Sequence, residues 1–270
     1  MRELATILIA CSGLWSQEQP PVPPAEPAAA ANPAIRNEGK PMVVPFKCTV
    51  EDIQIAGLTC SEDDPCPVYL ELSAVESTGI RIFAAGNLHT TNSTLFGILL
   101  GSEDNGLTWR DAHERIRGAG LDHVQFSGAE RGWASGVSFS PLPQDPFFLM
   151  TTDGGKTWRR RDLFDETRFG SIQQFYFEDP KSGSLVMDRG PGSGSDRYEL
   201  YESNDGGETW NIRETNSKAI RLKRAPVAAD PDWRVRADGP SKSFHLEHRQ
   251  GQKWISLAAF KVDVGVCKPE

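Results

Sequence analysis

Three copies of one eight-residue pattern, Ser/Thr-x-Asp-x-Gly-x-Thr-Trp, dominate the chain: SEDNGLTW at 102–109, TTDGGKTW at 151–158 and SNDGGETW at 203–210. Each follows an apolar run, so each reads as a corner that closes one strand and opens the next. An aspartate in such a corner accepts hydrogen bonds from backbone N–H groups just ahead of it. The glycine two places on supplies the positive φ that a tight turn needs. Threonine restarts a strand, and tryptophan brings a large surface to bury with one donor to satisfy. The acids Asp104, Asp153 and Asp205 stand 49 and 52 residues apart, a period that fits a repeated four-stranded unit. The residues Asp104, Gly106, Trp109, Asp153, Gly155, Trp158, Asp205, Gly207 and Trp210 are therefore assigned equivalent structural roles.

Between the corners, residues 68–72, 80–83, 95–100 and 107–109 read as the four strands of a first unit. A second takes 124–126, 132–136, 147–152 and 158 onward, and a third takes 172–177, 184–187, 198–202 and 209–212. A fourth is read in 220–223, 233–235, 244–246 and 254–257, with 248–254 as a degenerate corner carrying Arg249 in place of the acid. Residues 43–46 and 50–55 read as short strands ahead of the first unit. The third strand of each of the first two units is almost continuously apolar, as expected where a strand is covered on both faces.

The corners resemble the Asp-box (BNR) repeat of β-propellers. GWASG at 132–136 followed by TTDGGKTW is similar to the repeat of the photosystem II assembly-factor-like family. The resemblance implies an all-β fold, a β-propeller of about four to five four-stranded blades with Asp-box turns. Residues 42–66 and 258–266 would add a fifth blade or complete a split one. It also implies that the boxes lie on the blade periphery, remote from any active site. A β-sandwich is the alternative, but it does not explain a corner at every fourth strand.

The N-terminus reads as a targeting segment, residues 1–16: Arg2 precedes an apolar run at 4–10, too short to span a bilayer. Leu8-Ile9-Ala10-Cys11 resembles a bacterial lipobox, which implies lipidation of Cys11; ordinary secretion is the alternative. Residues 17–41, rich in Pro, Ala and Glu, read as a disordered tether, and 42–270 as one propeller domain. Cys48, Cys60, Cys66 and Cys267 remain, allowing three pairings. Cys60–Cys66 is favoured as a local clip, which leaves Cys48–Cys267 to tie the domain's start to its end, at on the order of 4–5 kcal/mol. A metal site is the alternative, though no Cys-x-x-Cys occurs. All this places the chain outside the cytoplasm, as a membrane-anchored lipoprotein or a secreted protein.

A net charge of −8 disfavours nucleic acid as a partner. Arg159, Arg160 and Arg161 form the densest basic cluster and read as a solvated strand face. Sialidase chemistry is the sharpest enzymatic expectation. That family holds a carboxylate with three arginines, uses a Tyr nucleophile assisted by Glu, and carries a Phe/Tyr-Arg-Ile-Pro strand; here Ile80-Arg81-Ile82-Phe83 departs from it at both ends. The tyrosines, Tyr69, Tyr176, Tyr198 and Tyr201, all fall inside expected strands. Asp111, Glu114, Asp122 and Asp165 are carboxylates outside the boxes. His113 with Glu114 and His123, or His89 in NLHTTNST, could contribute to a metal or acid–base cluster, and scattered loop histidines are the simpler reading. No catalytic, cofactor-binding or metal residue is assigned. The expectation is a monomeric, non-catalytic scaffold for a protein or glycan ligand, without cofactor, held to the membrane by its lipid anchor; the competing class is a glycoside hydrolase.

Overall fold

The structure, a computed structural model, describes residues 32–139, 145–164, 169–222, 232–262 and 266–267. Cys11, the targeting segment and residues 17–31 of the tether lie outside the described residues, as does Asp165. The first elements are β1 (Ile35–Arg36), β2 (Met42–Val44), α1 (Val50–Ile55) and β3 (Cys66–Pro67). Sheet one follows, with β4 (Tyr69–Thr78), β5 (Arg81–His89), β6 (Thr94–Ser102) and β7 (Thr108–Asp111); β8 (Ile116–Arg117) pairs with β6, and β1 with β7. Sheet two holds β9 (Ala119–Ser127), β10 (Arg131–Ser138), β11 (Asp145–Thr151) and β12 (Arg159–Asp162). Sheet three holds β13 (Ser171–Phe177), β14 (Gly183–Asp188), β15 (Tyr198–Ser203) and β16 (Asn211–Asn216). Sheet four contains β17 (Trp233–Asp238), β18 (Ser243–Gln250) and β19 (Lys253–Val262), and β20 (Val266–Cys267) pairs with β3. The fold is all-β in five sheets, and within the blade-like sheets one to three consecutive strands pair antiparallel.

The apolar third strands explain how the sheets assemble. In β6, Ile98 and Leu100 enter a core shared with Leu246 and Phe260 of sheet four, while Leu99 between them enters a core shared with sheet two. In β11, Phe147 and Leu149 join that second core, and Phe148 and Met150 join a third with Phe175 and Phe177 of sheet three. Alternate side chains of one strand thus serve two interfaces, which is why the run must be apolar throughout. The order in space is four, one, two, three. Among the described residues no hydrophobic cluster joins sheet three to sheet four. The face of sheet four away from sheet one is instead polar, with Arg234 and Arg236 both bonded to Glu247.

The three corners share one geometry. Thr108 donates from its N–H to Asp104 Oδ1 (2.8 Å) and from its hydroxyl to Oδ2 (2.7 Å). Thr157 does the same to Asp153 (3.0 and 2.6 Å), and Thr209 to Asp205 (3.0 and 2.6 Å). Ser102, Thr151 and Ser203 each donate to the same carboxylate and accept from the N–H of Gly106, Gly155 or Gly207. Those three glycines all have φ between 83° and 91°. Trp109 and Trp158 then donate back to the carbonyls of Gly106 and Gly155 (3.0 and 3.2 Å). In the third corner Trp133 of sheet two donates to the Gly206 carbonyl instead (2.8 Å).

The corners also bind neighbouring sheets. Arg81 donates to the Gly154 carbonyl (3.0 Å), and a Cβ on Gly155 would lie 2.1 Å from the Phe83 ring. Asn37 donates to Gly106 O and Leu257 O, both at 2.9 Å, and so joins sheets one and four. Two arginines of the basic cluster serve the same end, Arg161 donating twice to the Glu208 carbonyl and Arg159 pairing with the Glu208 carboxylate, while Arg160 lies 4.2 Å over the Phe147 ring of its own sheet.

Several expectations are corrected. Residues 50–55 form a helix, because Thr49 and Asp52 make a reciprocal capping box that satisfies its first N–H groups. The last ten residues assigned to the tether belong to the fold: Ile35 pairs with Trp109, Asn32 donates to Asp111, and Asn37 makes the bonds above. The fourth strand of sheet four is not 220–223, of which 220–222 carry no strand; it is β2, added parallel to β19 with Met42 opposite Phe260. The turn at Gly251 therefore joins the second and third strands of its sheet, and 248–254 is an ordinary hairpin, not a degenerate box. Residues 190–194 lie at the tip of the hairpin that joins β14 to β15, which carries the 3-10 segment Pro191–Asp196.

Disulfides join Cys48 to Cys267 and Cys60 to Cys66. The first brings the segment ahead of α1 to β20. Chain entropy assigns roughly 5 kcal/mol to the long loop and roughly 2 kcal/mol to the short one. Chemical denaturation of the paired Cys-to-Ala variants is expected to show the larger loss for Cys48/Cys267. A second prediction concerns acid. The hydroxyl of Thr157 above all, then its N–H, hold the Asp153 carboxyl down to about 2 from an ordinary 3.8. Asp104 is lowered by Thr108 in the same way; burial opposes the shift at Asp205, but Thr209 and Ser203 carry it downward. A carboxylate depressed by folding stabilises fully above its unfolded value and loses that contribution as pH falls through the folded one. Melting temperature is therefore expected to drop between pH 4 and 2. Asp153→Ala is expected to cost roughly 1–3 kcal/mol at pH 7 and to flatten that acid limb in a thermal-melt series.

Candidate functional site

A groove of about 540 Å³ opens where sheets one and two meet at the α1 end. Sheet one supplies Glu71 from β4 and Asn87 and His89 from β5; Glu71 and Asn87 stand directly opposite in register. Sheet two supplies Gly120 and Asp122 from β9, with Phe139 just after β10. Phe139 is pinned by its N–H donating to Gly118 O (2.7 Å), yet its ring remains 39% exposed. The wall between is the turn 90–93. Thr90 N–H donates to Ser93 O (2.8 Å), its hydroxyl accepts from the N–H groups of Asn92 and Ser93, and Ser93 Oγ donates to Ala56 O (2.9 Å). The turn is thus tied at once to itself and to the end of α1.

Two side chains in the groove have spare capacity. The Asn87 amide and the Asp122 carboxyl are both half-buried, and neither hydrogen-bonds to another side chain or backbone group among the described residues. Burial pushes the Asp122 carboxyl up from its ordinary value; His123 opposes this and the Glu71 charge adds to it. His89 donates from Nδ1 to Thr90 O (2.8 Å), which leaves Nε2 at 3.9 Å from Glu71 Oε2. No arginine or lysine is among the described lining residues. What converges is a mixed set of donors and acceptors with one carboxylate and one reluctant acid, beside an aromatic face.

The other sequence candidates do not assemble into a site. His123, an exposed residue, faces Phe175 of sheet three, ring centroids 6.4 Å apart. His113 Nδ1 bonds the Glu114 carbonyl. Among the described residues no group of three His, Cys, Asp or Glu could hold a metal ion. Tyr201 donates to Glu199 Oε2 at 2.6 Å, a Tyr–Glu pair of the kind sialidase chemistry uses. It is closed in the core between sheets two and three, at 2% and 4% exposure, with Phe164 against the tyrosine ring. Arg81 is committed to Gly154 O, Arg189 to Glu199 and Arg197 to Asp188. Glu71, Asn87 and Phe139 were not legible as site residues. The only local signal was the run of hydroxyl and amide side chains at 87–94, which marked His89 but not its neighbours.

No family model and no curated protein matches the sequence. Among solved structures it is similar to YCF48 bound to D1 peptide, at 18% identity, covering 73% of this chain and 54% of that one, with a TM-score of 0.38. It is similar also to YCF48 from Cyanidioschyzon merolae, at 20% identity over 68% and 55% of the two chains (TM-score 0.36). A third is the polysaccharide lyase PL25, an ulvan lyase, at 11% identity over 83% and 56% (TM-score 0.41). The chain spans about half the length of the solved structures it matches. The likeness is distant in sequence and in superposition, and the reading of function rests on the groove.

Proposed function

We propose that the chain is an extracytoplasmic β-propeller-type binding module, its sheets one to four acting as blades and its ligand, protein or glycan, seated in the groove between the first two. The observation that carries this reading is a solvent-open groove at a packed inter-sheet junction whose half-buried Asn87 and Asp122 have no partner of their own. Buried polar groups ordinarily find partners; here that capacity is left for water or a ligand. Rigid strands below and loops above suit recognition without refolding. The two disulfides support export, since such bonds persist in oxidising compartments. Cys11, at the end of its short apolar run, supplies the lipid anchor, and the chain works as a monomer.

A second reading is kept by one specific feature. Glu71 and Asp122 face one groove, where burial raises the Asp122 carboxyl, and a pair of carboxyl groups across a groove is what glycoside hydrolysis employs. A panel of aryl glycosides, sialosides included, separates the readings. Binding-module behaviour predicts no turnover above that of the Asp122→Asn variant, whereas turnover abolished by that substitution establishes the hydrolase. For the anchor, expression of the full chain in a bacterial host is expected to place it in the detergent phase, and Cys11→Ala to release it to the aqueous phase. A wild-type chain found wholly in the aqueous phase removes the anchor from the proposal.

A further inference from the structure

We propose that the ligand of this groove is an uncharged saccharide chain, stacked on Phe139 and hydrogen-bonded by Asn87 and Asp122; the inference rests on the binding-module reading above. Charge narrows the ligand first. The described lining residues include Glu71 and Asp122 but no arginine or lysine, so a uronate, sialoside, phosphate or free peptide carboxylate would meet like charge with no counter-ion among them.

The hydrogen-bonding inventory narrows it further. Asn87 offers a donor and an acceptor from one planar group, and Asp122 offers an acceptor that becomes a donor when protonated. Vicinal hydroxyls, each both donor and acceptor, match that set more fully than a peptide backbone, whose groups alternate along an extended line. The half-exposed Glu71 and the Nε2 of His89, freed by the Nδ1 bond to Thr90, continue the same polar edge.

The aromatic face is the third element. Phe139 is exposed although its backbone is fixed, and it stands over Gly120, where a Cβ would lie 3.5 Å from its ring and 3.9 Å from the Asn87 amide. The absence of a side chain at Gly120 therefore keeps ring and amide open to one another across the groove floor. A pyranose has an apolar C–H face for the ring and equatorial hydroxyls for the amide, so one sugar residue satisfies both at once. The groove is open at its mouth and large enough for more than one such residue, which favours a chain over a monosaccharide.

The test uses the purified protein from residue 32 onward with both disulfides formed, alongside the full chain, in isothermal titration against tetrasaccharides of glucose, xylose, mannose and N-acetylglucosamine. Tetragalacturonate and spermidine serve as comparators. The expected result is saturable binding of at least one neutral tetrasaccharide, weakened at least tenfold by Phe139→Ala and by Asn87→Ala, with unchanged melting temperature. Asp122→Ala removes the other hydrogen-bonding side chain and is expected to weaken binding about tenfold as well. Gly120→Ser, which the backbone tolerates, supplies an independent obstruction and is expected to abolish binding. Binding of spermidine alone, lost in Asn87→Ala, overturns the saccharide, and binding of tetragalacturonate alone, lost in the same variant, overturns its being uncharged; either leaves the groove a binding site. Neutral binding indifferent to Phe139→Ala and Asn87→Ala overturns the assignment of the site, and no binding of any probe overturns the proposal outright.

Discussion

In each corner a single threonine gives two hydrogen bonds to one aspartate, and that pair fixes the first residues of the outermost strand against the turn before it. A turn left to backbone forces alone would sample several conformations, and the next sheet could not rest on it. Charge-assisted bonds of this type are about twice as strong as neutral ones. Their cost is small here, because the carboxylates remain near solvent and need not be fully dehydrated. The result is a rigid knuckle at the rim of each of three sheets, with a glycine at its apex where a Cβ would meet Leu257 or Phe83 of the neighbouring sheet in the first two corners and Phe177 of its own sheet in the third.

From that constraint the rest of the assembly follows. The knuckles hold the rims together through Arg81, Trp133 and Asn37, each a donor from one element to a glycine carbonyl in another. Deeper in, the two-faced strands β6 and β11 knit three successive cores, so that sheet one is gripped on both sides and sheet two likewise. Among the described residues, sheets three and four are gripped on one side each. Sheet four answers with a polar outer face: Glu247 is buried to 5% yet takes bonds from Arg234 and Arg236, which keep its carboxyl low against the burial that would raise it. The groove sits at the junction of sheets one and two, the two that are held on both sides, which is where a preformed site can be kept at least conformational cost.

How far the sequence reveals this depends on the range of the interactions. The corners lie within eight residues, so Asp104, Asp153 and Asp205 announce themselves, and the apolar third strands show that both faces are covered. The short helix has a local signature as well, Thr49 with Asp52, but the β-branched residues around it obscure it. Sheet four is harder. Its outer strand comes from residues 42–44, more than two hundred positions from β19, and no spacing rule links them. Nothing local distinguishes the hairpin at Gly251 from a worn Asp box either, since Gly and Trp recur there for different reasons: Trp254 lies under the Arg234 guanidinium at 4.3 Å.

The groove shows the same limit more sharply. Glu71, Asn87, Asp122 and Phe139 come from four places along the chain and carry no shared motif. Two of them face one another only because β4 pairs with β5 in a register set by a bulge between Leu72 and Ala74. One residue of slip would turn Glu71 or Asn87 to the opposite face and dissolve the site while leaving every Asp box intact. Architecture and recognition are therefore written at different scales. The first is repeated and local, which is why it can be read from spacing. The second is a single coincidence of strands, open to change without cost to the knuckles that hold the sheets together, and so free to differ between chains built on the same corners.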